Sequence, residues 1–421
     1  MSTLKLSGVT SGSSIIKAPD SGSTGQTFTM PASTGTLLTT TGSAANLTAI
    51  PAAQITGALP AISGASLTNL PSKGKNLIIN GAMQVAQRST SAVAQANDSN
   101  EGYATLDRYS LEFGNNAGGT ITTSKDSESP TGFGSSYKLD VTTADTSVDT
   151  NHLVFFAQCI EAQTLRSCGW DYTSASSYLT LSFWVKNSKT GIYCVAFNTY
   201  DTSRQYTAEY TISQANTWEK KTITIPGNSA ITFNDDNGAG LRVHFMLANA
   251  SGRYGSAGSW TSGNAWGTSN QVNFLDSTSN VGYWTGVQLE VGSVATDFEY
   301  RSYGEELALC QRYYYQYMPT FDASPLAQAH LDTATQAVGV FYYPTTMRAA
   351  PTIAFSQLSD WKIRARAAYY APTTTAAFDI TESMTGFYFN TNSSLVVGDG
   401  VQLRTVNSGG NTAKVTFSAE L

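Results

Sequence analysis

Charged residues, cysteines and histidines are all scarce in this 421-residue sequence, and each shortage argues against a class of function. Charged residues make up 13% of it, about half of the ~25% typical of globular proteins, and without a basic run we expect no nucleic-acid partner. The cysteines form no Cys-x-x-Cys pair and the histidines do not cluster, which predicts packed thiols, no zinc and no cofactor. Neither an apolar stretch of about 18 residues nor a signal peptide is evident, so we expect cytoplasmic synthesis without membrane insertion.

The first 72 residues are too polar to fold alone. They contain only three charged residues, Lys5, Lys17 and Asp20, and one aromatic residue, Phe28, among Ser, Thr, Gly and Ala. A single chain of this composition cannot bury enough apolar surface to offset the entropy lost on ordering. We therefore expect neighbouring copies of the chain to hold this segment, which favours a fibrous, oligomeric attachment protein over an enzyme.

A loose repeat occupies residues 43–72. The pairs Ile50-Pro51, Leu59-Pro60 and Leu70-Pro71 place an apolar residue before proline every nine to eleven residues. Because proline disfavours helix and favours extended chain, this spacing predicts a thin shaft whose core is shared between chains. A flexible linker is the alternative. Upstream, residues 13–17 and 26–30 are predicted to form short strands between glycine turns.

From residue 73 onward, apolar and polar residues alternate along strand-length segments. Residues 178–186, 241–247 and 287–291 each place their apolar side chains on one face. A period of two predicts strands with one face on a core and the other facing solvent or a partner. Several such strands joined by polar loops predict an antiparallel β-sandwich, in the form of a jelly roll, over residues 73–303.

The sequence after residue 303 predicts one helix and a smaller β-domain. Glu305 and Glu306 follow Gly304 and suit the first turn of a helix, where the helix dipole favours acidic side chains. Residues 313–317 (YYYQY) are expected in the core and at a subunit interface. Five later segments predict strands of the C-terminal domain: 338–343, 352–355, 387–389, 401–406 and 414–419.

The loop at residues 251–271 is the strongest candidate for ligand binding. Tyr254, Trp260 and Trp266 stand among glycine and serine, so local side chains cannot cover all three rings. The apolar C–H face of a sugar stacks on such rings, while its hydroxyls need polar partners. The amide and guanidinium groups available as partners are those of Arg253, Asn264, Asn270 and Gln271. The alternative is that the tryptophans pack on a neighbouring subunit.

Two other polar segments are weaker candidates. The turn at residues 200–206 offers sugar contacts or is an ordinary polar hairpin, and its candidate residues are Tyr200, Arg204 and Tyr206. The oxygen-rich loop at Asp235, Asp236 and Asn237 suits a calcium ion or is a polar turn. Adjacent carboxylates point to opposite faces of a strand, which is unsuited to the paired acids of glycoside hydrolysis. Without a nucleophile elbow or a phosphate-binding loop, no catalytic residue is predicted.

Several motifs resemble the receptor-binding heads of bacteriophage tail fibres. The motifs are NLIING at 76–81, LDRY at 106–109, TGVQLEVG at 285–292, FEYRSYGEEL at 298–307, CQRYY at 310–314, FYYP at 341–344 and MRAAP at 347–351. The resemblance covers residues 73–355 and extends more weakly to both ends. It implies a homotrimeric fibre whose jelly-roll module is similar to carbohydrate-binding modules and adheres to bacterial surface glycans. It carries over no binding residues.

Together these patterns predict an all-β protein, an elongated trimeric fibre with an antiparallel β-sandwich (jelly-roll) head. The predicted domains are residues 1–42 for virion attachment, 43–72 for the shaft, 73–303 for the sandwich, and 304–421 for the helix and a smaller C-terminal β-domain. We expect a non-enzymatic fibre, made in the host cytoplasm and located on the virion, that recognises its host through surface polysaccharide. Its other partners would be virion proteins, contacted through residues 1–42. The alternatives are a glycan depolymerase or esterase tailspike, a capsid-attached fibre with the same adhesive role, and a secreted cellular glycan-binding module.

Overall fold

Two separate units make up the described part of the protein. The computed structural model describes residues 4–7, 13–16, 74–97, 99–263, 265–319, 324–406 and 413–421. The first unit contributes an antiparallel pair, β1 (Leu4–Ser7) and β2 (Ser13–Ile16), and the second contains residues 74–421. The strand predicted at residues 13–17 is confirmed. The strand predicted at 26–30 and the shaft predicted at 43–72 lie outside the described residues.

A sandwich of two six-stranded antiparallel sheets forms the first part of the second unit. Its strands are β3 (Val93–Gln95), β4 (Ser110–Gly114), β5 (Thr120–Asp126), β6 (Ser136–Thr143), β7 (Leu153–Glu161), β8 (Tyr178–Asn187), β9 (Gly191–Thr199), β10 (Arg204–Ile212), β11 (Glu219–Pro226), β12 (Ala239–Asn249), β13 (Trp260–Thr261) and β14 (Val281–Val291). The front sheet has the order β13-β10-β9-β12-β7-β4, and the back sheet has the order β11-β8-β14-β6-β5-β3. The predicted antiparallel sandwich is confirmed.

The inward faces of the two sheets meet in one apolar core. Alternate residues of β8 point into it and are completely buried: Leu179, Leu181, Phe183 and Val185. At its centre Phe156 stacks on Phe245, with ring centroids 4.6 Å apart, and meets Trp284 of the back sheet edge-on at 5.1 Å. Such aromatic pairs stabilise a core by about 0.5–1.5 kcal/mol each beyond the burial of their area.

Two of the sequence motifs pack against each other at the back sheet. The side-chain amide of Asn76 donates to the carbonyl oxygen of Val287 (3.1 Å), and its oxygen accepts from the N–H of Leu289 (3.0 Å). At the bulge in β14, Gly286 has a φ of +61°, and a Cβ there would lie 2.6 Å from the ring of Phe133. The NLIING and TGVQLEVG motifs therefore maintain the sandwich.

The C-terminal domain is a curled seven-stranded sheet packed on a three-stranded sheet. Its strands are β15 (Tyr314–Tyr317), β16 (Pro325–Thr333), β17 (Gln336–Tyr342), β18 (Thr352–Phe355), β19 (Trp361–Ala365), β20 (Ala368–Tyr370), β21 (Thr374–Phe378), β22 (Met384–Asn390), β23 (Gly400–Thr405) and β24 (Val415–Ser418). The orders are β20-β19-β23-β16-β17-β22-β21 and β15-β24-β18. Residues 371–373 alone connect β20 to β21 at opposite edges, a span of at most about 14 Å. Seven flat strands would be about 29 Å wide, so the sheet must curl to bring its two edges together. The domain limits predicted from the sequence stay predictions.

The helices of the described residues are short. The α-helices are α1 (Ala162–Ser167) and α2 (Tyr303–Gln311), three 3-10 turns are shorter still, and no helix here is long and apolar enough to cross a membrane. The hydroxyl of Ser302 accepts from the N–H of Glu305, whose carboxylate accepts from the N–H of Ser302, which forms a capping box. The predicted acidic helix start is confirmed. Tyr313 and Tyr314 are buried as expected, and their contact with another subunit stays a prediction.

The last residues of the chain fasten the C-terminal domain to the sandwich. The carboxylate of Glu420 pairs with Arg108, whose side chain is 1% exposed, and with Arg88 at 3.0 Å. Arg108 also donates to the carbonyl oxygen of Cys159 (2.6 Å), and its guanidinium lies 3.4 Å from the ring centroid of Tyr313. A buried cation is stable only when it is paired and hydrogen-bonded, and here the side-chain carboxylate of Glu420 supplies the opposite charge.

Candidate functional site

The outward face of the front sheet is unusually apolar. β7 is buried along its whole length on both faces. Its outward residues form a second apolar cluster with residues of β9 and β12: Leu153, Phe155, Ala157, Cys194, Ala196 and Met246. The outward face of an antiparallel sheet commonly meets solvent, so burial here requires a cover. Part of the cover comes from the loop at residues 251–271, whose Trp266 packs against this cluster.

Hydrogen bonds hold this loop against the sheet. The N–H of Gly258 donates to the carbonyl oxygen of Thr207 (2.9 Å), and the hydroxyl of Thr207 donates to the carbonyl oxygen of Ala265 (2.6 Å). Gly255 is required at a close crossing within the loop, because a Cβ there would lie 2.2 Å from the Cβ of Ala265. These contacts fix Trp266, the next residue, over the sheet.

An open groove of about 500 Å³ lies where the loop meets β4, β7 and β12. Its lining consists of Glu101, Gly102, Glu112, Phe113, Gly114, Leu153, Phe155, Arg242, His244 and Trp266. The rings of Trp266 and Phe155 are stacked, with centroids 5.9 Å apart and planes 11° from parallel. Trp266 also meets the ring of His244 edge-on at 4.7 Å. The groove therefore places two stacked aromatic rings beside charged side chains.

One ion pair dominates the polar side of the groove. Arg242 donates to the carboxylate of Glu112, to the hydroxyl of Ser110 at 2.7 Å, and more weakly to the hydroxyl of Tyr200 at 3.4 Å. The side chain of Arg242 is 12% exposed and that of Glu112 is 32% exposed. Burial lowers the pKa of Arg242, but the carboxylate of Glu112 raises it by more, so the pKa lies above its ordinary value. Arg242 is thus a permanent cation whose charge is balanced within the groove.

His244 is a neutral ring under the tryptophan. Burial, and then the charge of Arg242, lowers the pKa of His244 well below its ordinary value. Its Nδ1 lies 3.3 Å from the carbonyl oxygen of Ala196, so Nδ1 carries the proton and Nε2 is an acceptor. Among the described residues, Nε2 of His244, Nε1 of Trp266 and Nε of Arg242 have no hydrogen-bond partner. Buried polar atoms without partners are rare in proteins, and these three belong to residues that line the same groove.

The structure separates the three aromatic residues predicted in the loop. Trp266 lines the groove. Trp260 lies in β13 at the edge of the front sheet, where its indole N–H donates to the carbonyl oxygen of Pro226 (2.7 Å) and its ring meets Tyr206 edge-on at 5.4 Å. Tyr254 is exposed and makes a backbone bridge to Gly267. Packing between the two sheets of one chain therefore explains the position of Trp260.

The polar residues predicted beside these rings have different surroundings. Nε of Arg253 and both side-chain polar atoms of Gln271 are buried without partners among the described residues. The side-chain amide of Asn270 donates to Glu209 at 3.0 Å. Asn264 lies outside the described residues. Arg253 and Gln271 thus remain available for an additional polar partner, whereas Asn270 is engaged with a neighbouring strand.

The turn at residues 200–206 contributes one residue near the groove. Tyr200 is exposed, and its hydroxyl reaches the groove residue Arg242. Arg204 begins β10 and is half-buried. Tyr206 is 7% exposed and packs in the sandwich core, a position that needs no ligand to explain it. The structure therefore brings Tyr200 to Arg242, which lines the groove together with Trp266, although 66 residues separate Tyr200 from Trp266 in sequence.

The loop at Asp235, Asp236 and Asn237 binds other parts of the chain. The carbonyl oxygen of Asp236 accepts from the N–H of Gln163 (2.9 Å). The side chain of Asn237 donates to the carbonyl oxygen of Arg348 (2.5 Å), and the guanidinium of Arg348 donates back to the carbonyl oxygen of Asn237 (2.9 Å). Within the described ranges, no cluster of three or more His, Cys, Asp and Glu side chains suits a metal ion.

A larger cavity, of about 660 Å³, lies between the start of the sandwich, α1 and α2. Its buried carboxylate, Glu161, accepts from Arg312 at 2.8 Å, from the hydroxyl of Tyr313 at 2.5 Å and from Gln163 at 2.5 Å. These partners satisfy the charge without a ligand. The groove, with its unpartnered polar atoms, is therefore the stronger candidate site.

No protein-family model and no curated protein matches this sequence. Solved structures that resemble part of this chain include the enzymatically active domain of tailspike protein 4 of bacteriophage CBA120, 16% identical over 52% of this chain and 22% of that chain, with a TM-score of 0.29. A C-terminal family 22 carbohydrate-binding module from Clostridium thermocellum is 10% identical over 53% of this chain and 100% of the module, with a TM-score of 0.28. A family 11 carbohydrate-binding module from the same organism is 13% identical over 50% and 99%, with a TM-score of 0.25. Similarity at this level carries no conclusion about the site.

Sequence reasoning missed most of the groove. The sequence analysis predicts none of Phe155, Glu112 and Glu101 as site residues, and the alternation in residues 241–247 places Arg242 only on the face opposite the apolar side chains. One signal was available: residues 153–160 are apolar at nearly every position, which requires both faces of the strand to be covered. A strand of this kind in a sandwich indicates that a loop or ligand lies over its outward face.

Proposed function

We propose that this protein binds bacterial surface glycans in the groove over the front sheet and does so without cleaving them. The observation that supports this most strongly is the stacked pair Trp266 and Phe155 beside the ion pair of Arg242 and Glu112. An aromatic ring stacks on the C–H face of a sugar, and fixed charged groups bond its hydroxyls. The exposed ring of Tyr200 extends the same surface past Arg242.

The proposed role is that of a phage tail fibre that attaches the virion to its host. The NLIING and TGVQLEVG motifs and the polarity of the first 72 residues support this role. In the proposal, three copies form one fibre, and residues 1–42 join it to the virion. Several weak glycan contacts on one particle then add up to firm attachment, because each contact raises the effective concentration of the others.

Adhesion rather than hydrolysis is proposed because of how the groove carboxylates are held. Glycoside hydrolysis commonly uses two carboxyl groups, one of which donates a proton. Glu112 accepts from Arg242 and from the hydroxyl of Ser110, which suits a fixed anion. Glu101 accepts from the N–H of Phe113 at 3.3 Å at the rim of the groove. A depolymerase remains the alternative function, and polymer length distinguishes the two.

The test is binding to a panel of purified bacterial surface polysaccharides, with the polymer size measured in the same samples. Trp266→Ala should weaken binding at least tenfold, because losing an aromatic contact removes about 1.5–3 kcal/mol. The matched control is Tyr342→Ala, which removes a 72% exposed ring from the C-terminal domain and should leave binding unchanged. Equal affinity of Trp266→Ala and wild type would reject the groove as the site. If the polymer were shortened, the protein would be a depolymerase rather than a non-cleaving adhesin.

A further inference from the structure

The charges that line the groove favour one class of sugar. Resting on the proposed function, we propose that the groove selects neutral, hydroxyl-rich sugars and rejects sugars that carry a carboxylate. In this proposal Glu101 and Glu112 determine the specificity. Both lie among the groove-lining residues, one at the rim and the other on β4.

The net charge of the groove lining is negative. Among its residues, Glu101 and Glu112 carry negative charge and Arg242 carries positive charge. His244 adds no positive charge, because burial and the nearby guanidinium keep it neutral. An anionic sugar therefore meets one more negative than positive charge, and like charges repel most strongly in a partly buried site where solvent screens them less.

Arg242 has no free pair of donors for a sugar carboxylate. A guanidinium binds a carboxylate best through a pair of parallel N–H donors. The terminal nitrogens of Arg242, Nη1 and Nη2, already donate to Tyr200, Ser110 and Glu112 of this chain. Within the described part of the chain only the buried Nε has no partner, so every parallel pair of donors includes a nitrogen that is already engaged. A sugar carboxylate would have to displace Glu112 and would still face Glu101. Binding of a sugar carboxylate would therefore break the ion pair of Arg242 and Glu112 and would place the carboxylate near the negative charge of Glu101.

A sugar hydroxyl fits the same groups without displacing any of them. A carboxylate accepts hydrogen bonds at about four lone-pair positions, so Glu112, which is 32% exposed, retains acceptor positions toward the groove. Glu101 is exposed and has one oxygen engaged by the N–H of Phe113. Sugar hydroxyls donate to such oxygens, and their C–H faces stack on the ring of Trp266. A neutral, hydroxyl-rich sugar can therefore bond both carboxylates and stack on Trp266 at the same time.

The test compares acidic polysaccharides with the same polymers after chemical reduction of their carboxyl groups to hydroxymethyl groups. Purified full-length protein is titrated with both forms and with neutral bacterial polysaccharides. Wild type should bind neutral and carboxyl-reduced polymers at least tenfold more tightly than the acidic parents. Glu101→Gln, which leaves the Arg242 pair intact, and Glu112→Gln should each narrow this ratio several-fold. Glu382→Gln removes the same charge at an exposed position of the C-terminal domain and should leave the ratio unchanged.

The outcomes separate this inference from the proposed function. Acidic parents that bind as tightly as their reduced forms, with binding still lost in Trp266→Ala, would overturn the inference and retain the groove as the site. A ratio that Glu101→Gln and Glu112→Gln leave unchanged would also overturn it. Binding that does not depend on Trp266, or no binding to any polymer, would reject the proposed function itself.

Discussion

Replacing Glu420 by glutamine should destabilise the second unit by about 3 kcal/mol. The substitution keeps the size of the side chain but removes the negative charge opposite Arg108, which is 1% exposed. Removing one partner of a buried ion pair typically costs about 3–5 kcal/mol, because the other charge is left uncompensated. We expect the lower end, since Arg108 retains the carbonyl oxygen of Cys159 at 2.6 Å and the ring of Tyr313.

The assay is urea unfolding followed by intrinsic tryptophan fluorescence, with the free energy of unfolding compared between variants. The matched control is Asp140→Asn, which removes a carboxylate 3.7 Å from Lys138, where the two side chains are 34% and 27% exposed. Exposed pairs are worth less than about 1 kcal/mol, so the control should unfold close to wild type. If Glu420→Gln shifted stability no more than this control, the Glu420–Arg108 pair would not fasten the two domains.

Three further predictions concern pH, packing and thiol accessibility. Burial raises the pKa of Glu161, but hydrogen bonds from Arg312 and other donors lower it by more, so the pKa lies below its ordinary 4.5. The ionised carboxylate therefore stabilises the folded protein above pH 4.5, and this contribution is lost as the pH falls through the folded-state pKa. Glu161→Gln should therefore flatten the fall in melting temperature at acid pH, and an unchanged curve would contradict this. Trp260→Phe should lower the free energy of unfolding in urea by about 1 kcal/mol, because the hydrogen bond to Pro226 is lost. The same variant should bind glycan as wild type does, and lost binding would place Trp260 in the site. In a thiol-labelling assay the folded protein should react at Cys168, the one half-buried cysteine, and all four should react in denaturant; labelling of a second thiol in the folded state would contradict the burial.

Strands with one apolar face could be oriented from the sequence, whereas a strand with two apolar faces gives no sign of what covers its outward face. Residues 178–186 and 241–247 place Leu, Phe or Val at every second position, so their orientation in the sandwich follows from the pattern. β7 has no such alternation because both of its faces are buried. Phe155, in the floor of the groove, lies in that strand. In the C-terminal domain, β20 and β21 are short and carry mixed side chains, which local pattern does not distinguish from loop.

The loop at residues 251–271 shows where composition stops being informative. Trp260 and Trp266 have similar small neighbours in sequence, yet one packs between the sheets and the other lines the groove. The difference arises from which strand each residue meets in the fold. The pair of Arg242 and Glu112 likewise joins residues 130 positions apart. Contacts of this range depend on sheet order, which the sequence pattern leaves open.

The most direct test of the central claim is a crystal structure of the protein with a short oligosaccharide derived from a polysaccharide that it binds. We predict a sugar ring stacked on Trp266, with hydroxyls bonded to Glu112 and Glu101. A sugar bound at another surface of the sandwich, such as the ring of Tyr283 on the back sheet, with the groove unoccupied, would contradict the account.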